Sequence, residues 1–176
     1  MTTSIKTSPK ERKLGFRVLF LAMFAIGTGQ TLFIAVLPPY ARGLGLSEVQ
    51  VGFIFSLSAL GWMMMSPFWG RKSDFIGRKS IIILGLLVYA FTTILMGLEF
   101  RLKELGYINL STLFGLLIFT RGCYGFLGSG AHSASMAYVA DRTTENERSG
   151  VMAVMGSAFA ISGIVGPGLA SAAVML

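Results

Sequence analysis

Apolar residues run through this chain in five long stretches, and charged residues are nearly confined to the gaps between them. The stretches fall at about Val18–Leu37, Val51–Trp69, Ser80–Leu98, Leu110–Val139 and from Val151 to the end of the sequence. A helix rising 1.5 Å per residue needs about 20 residues to cross the hydrocarbon core of a bilayer. Each stretch meets or approaches that length, so the pattern predicts an all-α, polytopic membrane protein with about five transmembrane helices. Pro38-Pro39 is expected to end the first, because proline supplies no backbone donor to a helix interior. Residues 1–17 read as a basic N-terminal tail and 18–176 as one helical bundle. The gaps Arg42–Gln50, Gly70–Lys79, Glu99–Asn109 and Asp141–Ser149 are too short for any soluble domain.

Composition agrees with the pattern. The 176 residues are 53% hydrophobic and only 13% charged, whereas a soluble domain carries roughly a quarter charged residues. Small residues recur at four-residue spacing: Gly52 and Ser56, Gly156 and Ala160, then Ser162, Gly166 and Ala170, with Gly122, Gly125 and Gly128 crowding the fourth stretch. Such faces let helix backbones approach closely, so these spans should pack on other helices.

The net charge of +7 is unevenly placed. Lys6, Lys10, Arg12, Lys13, Arg17, Arg71, Lys72, Arg78, Lys79, Arg142 and Arg148 lie in the N-terminal tail and two alternate gaps; only Arg42, Arg101 and Lys103 lie in the other two. The positive-inside rule then places the N-terminus in the cytoplasm of a cell (plasma or inner) membrane. No aromatic residues alternate with the basic ones as a base-stacking surface requires, so no nucleic-acid partner is expected. The tail and the apolar stretch after it resemble a signal peptide, but the stretch is too long and lacks a small-residue cleavage site.

Chemistry is sparse. Cys123 and His132 are single copies, which excludes an internal disulfide and a Cys/His metal site. There is no Gly-rich phosphate loop and no plausible nucleophile triad. No enzyme and no cofactor are expected, and any work must draw on a gradient. Every Asp and Glu, Glu99 included, is assigned to a stretch end or a gap, so either a proton carrier lies beyond these residues, or a rim acid such as Asp141 serves, or coupling is not to protons. The charge placed inside a span is Arg121. Gln30, near the middle of the first span, is a candidate acceptor for it. Met63, Met64 and Met65 read first as lipid-facing or packing residues.

Ten residues carry the strongest signal: Gly70-Arg71-Lys72-Ser73-Asp74-Phe75-Ile76-Gly77-Arg78-Lys79. They read as a tight charged turn between the second and third spans, with Gly70 and Gly77 allowing a sharp reversal. Asp74 suits a helix N-terminus, and Arg78 suits an acid such as Asp141 at a neighbouring helix end. The spacing of Gly70, Asp74, Gly77, Arg78 and Lys79 resembles the loop between helices two and three of the major facilitator superfamily. Arg121, Gly125, Gly128 and Ala131 are similar to its fourth-helix motif. Ala153, Ser162, Gly166-Pro167 and Ala170 hold the spacing of the fifth-helix motif of its drug:proton antiporter branch, with Ala and Ser in place of three glycines.

The resemblance implies the N-terminal bundle of a secondary transporter that exports small organic molecules by alternating access with proton coupling. The loop would serve as a conformational gate, Gly166-Pro167 as a kink, and Gln30, Phe33, Arg121 and Tyr124 would face the family's mid-membrane site. The implied partners are a small-molecule substrate, the lipid bilayer and a missing C-terminal half. An importer of a small solute, or a truncated fragment that does not transport, are the alternatives.

Overall fold

The computed structural model describes residues 8–174, and they are almost wholly helical. The helices are α1 Pro9–Gly43, α2 Glu48–Ile76, α3 Arg78–Glu104, α4 Leu110–Cys123, α5 Ser129–Asp141 and α6 Glu145–Val174, with a single π-helical turn, Tyr124–Gly128, joining α4 to α5. Among the described residues five continuous helices are long and apolar enough to cross a membrane, α4 through α5 counting as one.

Several boundaries differ from the sequence expectation. Helix α1 starts at Pro9, so the described part of the basic tail is helical, and Lys6 lies outside the described residues. It also continues through Pro38-Pro39 to Gly43. Leu37 and Ala41 are fully buried there, Tyr40 stacks edge-on against Phe100 at 5.0 Å, and its hydroxyl donates to Glu104. Those contacts outweigh the lost donors, while Arg42 Nε reaches the Pro38 carbonyl at 3.2 Å. Helix α2 does not stop at Trp69 but runs through the charged motif to Ile76. Helix α3 extends past Leu98 to Glu104, which puts Glu99 inside it.

The chain forms two compact bodies, one of residues up to 35 with those from 135 onward, the other of residues 36–134. In the first, α1 crosses α6 with almost no side chain between them. Ser162 is fully buried, its hydroxyl 2.7 Å from Ala158 O and 3.0 Å from Phe24 O. Thr31 Oγ1 donates to Ser162 O at 2.6 Å. A Cβ on Gly166 would run into Thr31 Oγ1 and come within 2.6 Å of Leu32 N; one on Gly27 would meet Ser162 Oγ at 2.7 Å. At the end holding the α5–α6 turn, Arg12 pairs with Glu147 at 3.1 Å, and the Arg142 guanidinium covers the Tyr138 ring at 3.8 Å.

In the second body the same device is used twice. A Cβ on Gly125 would lie 2.5 Å from Ser58 O, so the π turn sits on the backbone of α2. A Cβ on Gly85 would lie 2.6 Å from both Ala131 N and Ala131 Cβ, which locks α3 against the start of α5. Buried Ile54, Ile81, Leu113 and Leu117 fill the space around these crossings. Lipid offers no hydrophobic drive between helices, so this close packing is what associates them.

Candidate functional site

The charged motif is helix rather than loop. Gly70 lies within α2, and Gly77 alone separates α2 from α3, at φ 100. That positive φ is why a glycine stands there. Arg78, the first residue of α3, folds back onto the last two turns of α2. Its Nη1 donates to Gly70 O at 3.0 Å and to Ser73 Oγ, while Nη2 pairs with Asp74. Ser73 is buried and donates to Gly70 O at 2.6 Å. Asp74 would be unfavourable at a helix C-terminus alone; Arg78 and the start of α3 offset this. Asp74 is 52% exposed and Arg78 17%, so the pair is open to solvent on the carboxylate side and the charge attraction itself contributes little stability. Lys79 is exposed. Asp141, at the end of α5, is exposed and belongs to the first body.

A second cluster surrounds the π turn. Arg121 closes α4 and is 7% exposed. Its guanidinium lies 5.1 Å from the Tyr124 ring centroid and 5.8 Å from that of Phe55. Tyr89 of α3 meets Tyr124 edge-on at 5.7 Å. A π turn breaks the regular ladder and leaves a carbonyl to spare; Trp69 Nε1 donates to Phe126 O at 2.7 Å. Arg121 and Tyr124 are thus in contact. Gln30 and Phe33 lie half-buried in α1, in the other body. Met63 and Met64 are exposed, as lipid-facing residues would be. Gly166 and Pro167 sit within α6, where Gly166 serves as a helix contact.

The family model described as Major Facilitator Superfamily matches residues 19–176. The chain belongs to the major facilitator superfamily. The matched range includes Gly70, Asp74, Gly77 and Arg78. Multidrug resistance protein 2 of Bacillus subtilis is 33% identical over 164 residues, which cover 93% of this chain and 38% of that protein. Multidrug resistance protein 1 of the same organism is 30% identical over 151 residues, 86% of this chain and 35% of that protein. The quinolone resistance protein NorA of Staphylococcus aureus is 40% identical over 73 residues, 42% of this chain and 19% of that protein. The chain thus spans under two fifths of the length of these relatives.

Glu99 was missed by the sequence reading, which assigned it to a gap. It is 2% exposed, and Thr120 Oγ1 of α4 donates to its Oε1. The hydropathy pattern ends a span at its first charge; only the contact between α3 and α4 shows that this one is covered.

Proposed function

We propose that this chain forms the first part of a secondary transporter that exports small organic molecules by alternating access, coupled to protons. The observation that carries this is the α2–α3 hinge. A single glycine joins two membrane-length helices, and one arginine ties their ends through Gly70 O, Ser73 and Asp74. A rigid hook at one end of a bundle suits rocking between two states, in which it is held in one and released in the other. The resistance proteins to which the chain is similar support an exported drug-like substrate.

Removing either partner tests the hinge. In the full-length transporter, Asp74→Ala and Arg78→Ala should cut drug efflux about tenfold or more, the factor that roughly 1.4 kcal/mol represents. Membrane insertion should be unchanged, since an ion pair open to solvent on its Asp74 side holds little folding energy. Undiminished efflux in both variants would remove the gating role.

The charge bias supports a cytoplasmic N-terminus. With Cys123 replaced by Ala, single cysteines at exposed Phe75 and Thr144 should resist an impermeant thiol reagent in intact cells. One at exposed Val49 should react. The opposite labelling would reverse the topology.

A further inference from the structure

Glu99 sits where a carboxylate is expensive. It is 2% exposed in a helix long and apolar enough to cross a membrane. Five residues, roughly 8 Å along α3, separate it from the helix end. Thr120, its partner, lies ten residues or roughly 15 Å into α4. Oε1 receives the Thr120 hydroxyl, and Oε2 has no partner among the described residues.

The charged neighbours are engaged elsewhere. Arg101 pairs with Glu104 at 3.1 Å, and Tyr40 also donates to Glu104. Arg42 pairs with Glu48 at 3.1 Å. Arg121 lies over Tyr124 and Phe55, and Tyr89 faces Tyr124. Lys103, one turn beyond Glu99, makes no ion pair with it. Glu99 therefore has a neutral hydroxyl as its partner and a cluster of ionisable groups, Tyr40, Arg101 and Glu104, between it and the helix end.

We propose that Glu99 is a proton-binding site of this chain, exchanging its proton with that helix end. Thr120 suits both states. A hydroxyl has one donor and two acceptor lone pairs, so it donates to the carboxylate and accepts from the carboxylic acid without moving. An ion pair would serve only the charged state. A buried ionisable group of this kind inside a membrane helix is costly to keep and is ordinarily there to be used. The assignment fills the place of the carboxylate that the span boundaries had excluded. Its part in coupling rests on the transport proposal; its proton binding does not.

An apolar groove leads as far as the partner of Glu99. Thr120 also lines a groove of about 390 Å³ between α3 and α4, walled by Leu87, Phe91, Thr92, Phe119 and Cys123. Dicyclohexylcarbodiimide reacts with protonated carboxyls. The acid proton moves to one carbodiimide nitrogen, the carboxylate oxygen adds to the central carbon, and the acyl group then shifts to nitrogen, with nothing leaving. The chain in lipid vesicles should gain one adduct, mapped to Glu99 by mass spectrometry, and the yield should fall as pH rises. Glu99→Gln should take none. Thr120→Val should shift the pH profile, and Thr120→Ser should restore it. Tryptophan fluorescence matching the parent would show the fold intact in each variant. No adduct at Glu99 at any pH, or a yield independent of pH, overturns the proposal. In the full-length transporter Glu99→Gln should also abolish the pH dependence of efflux; labelling at Glu99 with that dependence intact would overturn its part in coupling. Absence of efflux from the parent would instead overturn the transport reading, leaving labelling to decide proton binding.

Discussion

Gly166→Ala should loosen the first body, although it adds only one methyl group. That methyl would meet Thr31 Oγ1, and behind it Leu32 N at 2.6 Å and Thr28 O at 2.8 Å. The last two are backbone atoms of α1 and cannot rotate away. Either the helices separate or the bond network of Thr31 and Ser162 is lost. Overpacking of this kind costs about 1–3 kcal/mol, which for a chain of this size lowers a melting midpoint by roughly 2–4 °C per kcal/mol. Thermal unfolding in detergent should therefore show a drop of several degrees. Two controls lie on the same helix. Gly163 and Gly168 have nothing within 4 Å of an added Cβ, so Ala there should be neutral or slightly stabilising. Thr31→Ala should rescue Gly166→Ala only in small part, because the backbone contacts remain. Equal midpoints for all three alanine variants would show that α1 and α6 do not meet on Gly166.

This contact also shows what the sequence can and cannot reveal. The run Ser162, Gly166, Ala170 announces a small face at helical spacing, and α6 presents it to α1. The partner is not written in α6; it is fixed by Gly27 and Thr31, some 130 residues away in the chain. Membrane helices were legible because the bilayer imposes a length and a composition on them. Their ends were less so. The chain passes Pro38-Pro39 as helix because Leu37, Tyr40 and Ala41 are held by tertiary contacts, and it passes Trp69 because Arg71 and Lys72 are good helix formers and Arg78 ties Asp74. Lys72 even folds back over Phe68, its ammonium 5.2 Å from the ring centroid. In the charged motif the glycine spacing was readable, but only Gly77 makes the reversal. The π turn left no trace in the pattern, since it depends on Gly125 seating against Ser58 O and on Trp69 claiming Phe126 O. Glu99 was lost for a related reason: burial of a charge is decided by a neighbour, here Thr120, and not by hydropathy.

Arg121 should be indispensable to transport while tolerating replacement in the fold. It lies 11 residues into the fourth membrane helix, roughly 16 Å from its start, too deep to reach a headgroup easily. Placing a cation there costs on the order of 2.5–3.5 kcal/mol, partly offset by the Tyr124 and Phe55 rings, each worth about 0.5–2 kcal/mol when desolvated. The π turn that starts one turn later keeps Tyr124 beneath the guanidinium, and Gly128 makes room for that ring, since a Cβ there would lie 2.7 Å from it. A group held at such expense next to a distorted turn fits a role in sensing substrate or proton charge. Arg121→Lys keeps the charge but loses the planar fork that stacks on aromatic faces. In the full-length transporter it should insert and unfold like the parent yet lose about tenfold or more in efflux, an effect of roughly 1.4 kcal/mol, and Arg121→Ala should lose more. Tyr124→Phe keeps the ring and should transport nearly as the parent does. Tyr124→Leu removes the ring and should resemble Arg121→Lys. If Arg121→Lys and Arg121→Ala both transport as the parent does, the cluster at the π turn is a packing device, and the transport site lies elsewhere in the molecule.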